Sequence, residues 1–353
     1  MRDQGAPHVV DRVLDRAVSA TARVIATLGR ASPTTASLSL LREEAAERAV
    51  ASRRATLTGL AELFRDEQPD TPGITEAKNT LSRLAAEALV AMRDDVERAA
   101  AGPRAPIARL DRRWRETSTV ELIDRVDFDE RKRVRLMTHL DEMNVTIGAY
   151  AAFLDVLRPF LVRGRATRVL DLAAGHGGFL LEVAAIAQRE GLALELVASD
   201  IADEYLAIGR RHAEERGLPV TFVVQDALDT TNLAPGAYDL VVCTQSLHHF
   251  PPGLVAVLTH EALRIASRAV VLIDGARSKT NAALIPLLGI VRYRDLPFAH
   301  DSWVSLRKFF APEELGLLAR CGALASPGPE RSVESRFLPP GHLAVVVRSG
   351  AQA

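Results

Sequence analysis

The sequence predicts an α/β fold, a doubly wound parallel sheet behind an all-α helical N-terminal region. Three observations carry this. From residue 165 on, short β-branched runs alternate with helical patterns, the mark of βα units that cover a parallel sheet on both faces. Before residue 110, apolar residues recur at helical spacings of three and four, with no strand signal. An apolar strand at 168–172 runs into a small-residue loop and then a helix, the place where ligands enter such sheets.

Composition bounds the function. The chain has 353 residues, 48% apolar and 25% charged, an ordinary globular composition with length for about two domains. Lys and Arg number 44 against 45 Asp and Glu, a net charge of −1, so there is no global pull toward nucleic acid or an anionic membrane. The longest nearly apolar run, 282–291, contains Pro286 and falls short of the ~20 residues a bilayer span needs. The opening MRDQGAPHVVDRVLDRA has acidic residues and no apolar core, so no secretory leader is expected. Cys243 and Cys321 provide neither a disulfide framework nor a Cys-rich metal site, and a reducing cytoplasm is the expected location.

The elements follow in order. Val10, Val13, Ala17, Thr21, Val24 and Leu28 mark a first helix, ended by SPTT at 32–35. A second stretch over 38–67 carries Leu41, Ala45, Leu57, Leu60, Leu63 and Phe64, and PDTPG at 69–73 breaks it. A third over 74–100 carries Leu81, Leu84, Ala88, Leu89, Met92 and Val96. Residues 1–106 thus read as a helical bundle serving as dimerisation surface, lid or docking module. Residues 107–164 read as a helical connector. VDFDERKRVRLMTHLDEMN opens with acids, which suits a helix N-terminus, and NVTIGAYAAFLDVLRPFL continues as an apolar helix to near Pro159. The ten basic and seven acidic side chains of 104–135 read as a solvated face in preference to a nucleic-acid patch. In 165–350 the expected strands are 168–172, 194–199, 220–224, 239–243 and 269–273, followed by a helix at 311–322 and a last strand at 342–348.

The loop RVLDLAAGHGGF at 168–179 carries the chemistry. Gly175 and Gly177 let a ligand approach the backbone. No Gly-Lys-Ser/Thr follows, so this is no phosphate loop, and the register is not G-x-G-x-x-G. Asp171 at the strand end would repel a pyrophosphate, which disfavours a nicotinamide dehydrogenase. It suits a cationic, zwitterionic ligand.

Asp171-x-Ala-x-Gly-x-Gly resembles motif I of the class I S-adenosylmethionine-dependent methyltransferases, with Ala173 where their D-x-G-x-G-x-G pattern has its first Gly. The resemblance implies a Rossmann-like seven-stranded methyltransferase sheet and S-adenosyl-L-methionine as cofactor. It implies that Asp171, Ala173, Gly175 and Gly177 cradle that cofactor. Asp200 of LVASD, 23 residues after Gly177, would grip the ribose hydroxyls, and Ile201 would pack on adenine. Asp226 of VVQDAL, with Ala227 beside it, would meet the adenine amine. Thr244 and Gln245 of YDLVVCTQSLHHF would border the methionine part and the reactive methyl. The connector VELIDRVDFDE…MNVTIGAY resembles a cofactor-covering segment of small-molecule methyltransferases, which turns Asn144, Gly148 and Tyr150 toward the cofactor. The ending HDSWVSLRKFFAPEELGLLARCGAL resembles the same subset and the quinone-biosynthesis group. The resemblance spans about 118–348, and residues 1–110 resemble no family.

On the acceptor side, His248 and His249 follow the fourth strand. Either imidazole is a candidate general base for an oxygen nucleophile, and the alternative is packing around the cofactor. No metal is expected, because adjacent histidines on a turn point apart and no third ligand is evident. Tyr150, Asp274, Arg277, Arg292 and His300 are candidate substrate contacts, with an internal salt bridge the alternative for Asp274 and Arg277 and a His300–Asp301 orienting dyad in the insertion 278–308. Trp303, Phe309 and Phe310 read as core or pocket wall, and an apolar lid suits a hydrophobic or aromatic acceptor. The expected function is methyl transfer to a phenolic, quinone-like or polyketide-type small molecule. An RNA or protein methyltransferase is the first alternative, opposed by the near-neutral charge and by CTQS where base-modifying enzymes have an Asn-Pro-Pro-Tyr-type motif. A methyltransferase-fold protein with a non-methylating or non-catalytic role is the second. The expected partners are a small-molecule substrate, no nucleic acid and a homodimer through the N-terminal helices.

Overall fold

The computed structural model describes residues 33–66, 71–115, 117–339 and 341–348, without the side chains of 33–37 and 279–284. The first expected helix, over 10–28, lies outside the described residues.

The strands are β1 (Thr167–Leu172), β2 (Leu194–Asp200), β3 (Val220–Val224), β4 (Tyr238–Thr244), β5 (Ala266–Gly275), β6 (Val333–Leu338) and β7 (His342–Arg348). They form one seven-stranded sheet in the order β3-β2-β1-β4-β5-β7-β6. β1 to β5 are parallel; β7 runs antiparallel to β5, and β6 antiparallel to β7. Side chains alternate across the sheet. Leu240 and Val242 enter one core and Val241 and Cys243 the other, so the central strands are apolar throughout. β1 pairs with β2 on one side and β4 on the other. The chain therefore leaves the ends of β1 and β4 in opposite directions and opens a cleft there.

The N-terminal helices are α1 (Pro33–Ala51), α2 (Arg54–Asp66), α3 (Pro72–Ala99) and α4 (Arg104–Arg115). The single helix expected over 38–67 is two helices. Ser52 Oγ and Arg53 Nη1 both bond the carbonyl of Ala49, taking the acceptor that a continuing helix would use. Thr71 caps α3, its Oγ1 accepting from the amide of Ile74, and Pro72 stands in its first turn. These helices are a layer of the main fold rather than a separate bundle. Leu57, Leu81, Ala88, Leu89 and Met92 share one core with α9 (Pro252–Ile265), α12 (Pro312–Leu324) and one face of the sheet. The packing is close enough that a Cβ on Gly253 would lie 2.1 Å from the carbonyl oxygen of Ser82.

The opposite face is covered by α6 (Ala149–Leu157), α7 (Gly178–Glu190) and α8 (Asp203–Arg216). The connector forms a 3-10 turn, Leu122–Asp124, and α5 (Glu130–Thr146), capped by Asp129, which accepts from the amide of Lys132. The apolar helix expected to continue from α5 is broken at Gly148, whose φ of +73° turns the chain before α6. Residues 278–308 hold α10 (Lys279–Val291) and α11 (Leu296–Lys308). With α5 they close a small core of Leu136, Met143 and Phe298 that forms a lid over the cleft. Among the described residues, no helix is long and apolar enough to cross a membrane.

Candidate active site

The loop after β1 is shaped by positive φ at Ala173 (+53°), Gly175 (+58°) and Gly177 (+74°). Ala173 holds a conformation that a glycine adopts without strain. Backbone and side chains around it fix the loop. The amide of Ala174 donates to Ser199 O (2.8 Å), that of Gly175 to Asp200 Oδ2 (2.8 Å), and Ser246 Oγ to Ala173 O (2.6 Å). A Cβ at Gly177 would lie 2.9 Å from the ring of Phe222, so only glycine fits there.

Asp171 is fully buried. Thr244 Oγ1 donates to its Oδ2 at 3.1 Å, and its Oδ1 has no partner. Burial, with Asp200 adding repulsion, pushes this carboxyl well above the usual range. A buried carboxylate oxygen without a donor fits an ammonium group such as that of a methionine moiety, and costs free energy without one. Asp200 ends β2, its second oxygen accepting from Ala202 N at 2.9 Å. Ile201 beside it is 70% exposed, an apolar surface at the end of β2. Asp226 is exposed beyond the end of β3, its Oδ1 accepting from Leu228 N, and Ala227 is buried. Thr244 and Gln245 leave β4, with Gln245 at a φ of +58°. The expected cofactor residues thus meet at the neighbouring ends of four strands.

The lid is tied to this loop. Asn144 Nδ2 donates to Gln245 Oε1 (3.0 Å) and Gln245 Nε2 to Asn144 Oδ1 (3.2 Å). Gln245 Nε2 also lies 3.3 Å from Nε2 of His342, a buried ring whose pKa burial lowers to about 4. Tyr150 is buried, and its hydroxyl donates to Asp141 Oδ1 (2.6 Å). His176 Nε2 lies 2.6 Å from Asp141 Oδ2. The Asp141 carboxylate stands over the first turn of α7, 2.2 Å from where a Cβ of Gly178 would be, a favourable place for a negative charge. Asp141, His176 and His342 were not among the expected site residues.

The acceptor side departs most from expectation. His248 and His249 lie on a 3-10 turn, Leu247–His249, with their rings 4.2 Å apart. Asp274 Oδ2 accepts from the His248 amide at 2.8 Å, and His248 Nδ1 lies 2.9 Å from Asp274 Oδ1. His249 Nδ1 lies 2.9 Å from Asp124 Oδ2. With Nδ1 given to a carboxylate, each ring presents Nε2, and both Nε2 atoms are 3.9 Å from the carboxylate of Glu121. Glu121 is buried and receives Ser305 Oγ (2.7 Å) and Lys308 Nζ (3.1 Å). Burial works against its ionisation, but the two histidines, Ser305 and Lys308 outweigh it and hold the carboxyl below its usual value. The expectation that the rings point apart with no third group nearby is therefore corrected: they converge on Glu121.

The substrate candidates separate. Asp274 is fully buried and orients His248. For Arg277 the structure shows the alternative reading, an internal ion network. It bonds Asp111 Oδ1 (3.0 Å), Glu314 Oε2 (2.9 Å) and Phe309 O (3.1 Å), while Arg93 holds the other oxygen of Glu314 (2.8 Å). Arg292 lines a cavity of about 490 Å³ among α5, α7, α8 and α10, apart from the histidine pair. The His300–Asp301 pair forms at 2.8 Å, but Asp301 also accepts from the amides of Leu122 and Ile123, so it anchors the turn beside Glu121. Phe309 packs edge-on to His248 at 4.7 Å and Phe310 is buried, whereas Trp303 is partly exposed against Trp114.

Residues 169–268 match the family model of a methyltransferase domain. The chain is 30% identical over 167 residues to the ubiquinone biosynthesis O-methyltransferase of Azotobacter vinelandii, covering 46% of this chain and 67% of that protein. It is 39% identical over 84 residues to the enzyme of that name from Photorhabdus laumondii, covering 24% of this chain and 32% of that protein. The match thus spans about a third of the length of several of these curated relatives. A solved structure of the plantazolicin methyltransferase BpumL in complex with SAH is 13% identical, covers 69% of this chain and 97% of that chain, and has a TM-score of 0.46. With its Asp171 loop, its sheet order and its relative in A. vinelandii, the chain belongs to the class I S-adenosylmethionine-dependent methyltransferases.

Proposed function

We propose that the protein transfers the methyl group of S-adenosyl-L-methionine to an oxygen of a small-molecule acceptor of phenolic, quinone-like or polyketide type. The observation that carries this reading is the pair of imidazoles at the exit of β4. Each is fixed at Nδ1 by a carboxylate and presents Nε2 toward Glu121.

The bound cofactor supplies an activated sulfonium methyl, so the protein's part is proximity, orientation and handling of the acceptor's proton. Asp171 Oδ1 receives the ammonium group. Asp200 takes the ribose hydroxyls, Ile201 the adenine face and Asp226 its amine. The Asn144–Gln245 amide pair and the Tyr150–Asp141–His176 triad hold the lid on the loop and exclude water. Asp274 and Asp124 orient His248 and His249, whose Nε2 atoms draw the proton from the acceptor hydroxyl. Phe309 offers an apolar wall to an aromatic acceptor. The names of the curated relatives favour an oxygen acceptor of quinone type, and the near-neutral charge favours a small molecule over RNA. The buried, free Cys243 and Cys321 suit a reducing cytoplasm. A homodimer through the N-terminal layer would use its outer face, where Leu40, Leu63 and Val90 are exposed.

The test is calorimetry with S-adenosylmethionine, then methyl transfer to a panel of phenols and hydroxyquinones. His248→Ala and His249→Ala should bind the cofactor as wild type does. At least one should slow turnover by about 10²–10⁴-fold, the usual contribution of a positioned proton acceptor. Unslowed turnover in both moves acceptor activation elsewhere. No cofactor binding by wild type removes the methyl-transfer reading.

A further inference from the structure

One proton acceptor needs one imidazole; here two imidazoles and a buried carboxylate are aimed at the same point. We propose that Glu121, His248 and His249 form a binding site for a divalent transition metal of the Zn²⁺ or Co²⁺ type, placed to touch the acceptor oxygen.

The ligand atoms are one Glu121 oxygen and the two Nε2 atoms, all within 4.8 Å of one another; His248 Nε2 lies 3.9 Å from Glu121 Oε1 and His249 Nε2 3.9 Å from Glu121 Oε2. Metal–ligand bonds of about 2.0–2.2 Å in a tetrahedral site put neighbouring ligand atoms roughly 3.4 Å apart. The three side chains therefore need to close in by at most about 1.4 Å at any edge, within reach of side-chain rotation. Two nitrogens and one oxygen suit a borderline transition dication over Mg²⁺ or Ca²⁺, which take oxygen ligands.

The surroundings support the same reading. Asp274 and Asp124 accept from Nδ1 of the two rings, the outer partner that metal-bound histidines have, and leave each Nε2 a lone pair. Glu121, Asp124 and Asp274 put three carboxylates in contact with two imidazoles, against one ammonium, Lys308. With neutral rings the group carries −2, which one dication cancels. Lys308 contacts the Glu121 oxygen nearest His248 and so competes for it. Three protein ligands leave positions open for an acceptor oxygen, or for two adjacent oxygens of one acceptor. The imidazoles would then serve as ligands rather than as the proton acceptors, and the cation would lower the pKa of the acceptor hydroxyl so that its proton passes to solvent. That catalytic consequence rests on the methyl-transfer reading, whereas the cation site does not.

The experiment is equilibrium dialysis of the untagged full chain against Zn²⁺, with metal analysis, and Co²⁺ titration followed by visible absorption, both without cofactor. The expected result is one metal per chain, not displaced by excess Mg²⁺. Glu121→Gln and His249→Gln should each weaken it at least about 10–100-fold, and Asp124→Asn, on a half-exposed turn least able to disturb the fold, by about 10-fold. Lys308→Met should tighten it several-fold. Cofactor affinity, measured in parallel, should stay the same in all four. Binding well below one equivalent, or equal binding in wild type and in Glu121→Gln, His249→Gln and Asp124→Asn, overturns the proposal. Methyl transfer that persists without metal binding overturns this inference and leaves the proposed function; stoichiometric metal without cofactor binding does the reverse.

Discussion

The two halves of the cleft are built on opposite plans. The cofactor half uses the ends of β1, β2, β3 and β4, each contributing residues contiguous with its own strand, and much of its shape is backbone. The proposed acceptor half gathers Glu121 and Asp124 from the connector, His248 and His249 from the exit of β4, Asp274 from β5 and Lys308 from α11. The first plan lets the sheet itself set the shape of the loop. The second draws on segments far apart in the chain, most of them outside the strands.

Three measurements test where the boundary runs. The largest effect belongs to Arg277→Ala. Sequence reasoning left Arg277 between an acceptor contact and an internal salt bridge; its contacts with Asp111 and Glu314 weld the N-terminal layer to α12. Leaving those carboxylates without it should cost about 3–5 kcal/mol in urea unfolding. A variant of normal stability with a raised acceptor KM would move Arg277 back into the cleft. Next comes Asp200→Ala, expected to weaken cofactor binding by about 1.5–3 kcal/mol, the range for hydrogen bonds to a charged group, without changing acceptor KM. Equal loss on both substrates would show that the halves are not separable.

The smallest effect is the pH dependence of the Asp141–His176 clasp between lid and loop. Burial pushes His176 down and Asp141 up, but their attraction and hydrogen bond outweigh it. His176 therefore stands above its ordinary 6.5 and Asp141 below its ordinary 3.8. The histidine's share of the stabilisation is complete below pH 6.5 and fades as pH rises through its folded value. The carboxylate's share is complete above pH 3.8 and fades as pH falls through its folded value. The melting-temperature gap between wild type and Asp141→Asn should therefore be widest between these values and narrow toward pH 8.5. A gap that is flat with pH would mean the clasp is not ionic.

The contrast also explains what the sequence revealed. β1 to β5 and β7 are apolar runs bounded by turn residues, so their period and place were legible. β6 was not, because VESRFL lies at the sheet edge with only Leu338 buried. Asp171, Asp200 and Gln245 sit at strand ends in chain order, where position follows from the strand itself. Glu121 and Asp124 belong to a run whose acids all look solvated; only the fold brings Asp124 beside His249, 125 residues away. Arg277 was left between two readings because a substrate-binding arginine and a buried ion-paired one leave the same mark in sequence. Its partner Asp111 is 166 positions distant.

The shared core of the N-terminal layer has a consequence for how the chain is made. α3 emerges early from the ribosome, yet its apolar stripe rests on α9 and α12, the latter ending at Leu324. At about 5–20 residues per second, roughly 10–50 s pass between synthesis of Ile74 and of Leu324. Through that interval Leu81, Leu84, Leu89 and Met92 lack their final partners. These helices are made before the elements that complete their burial.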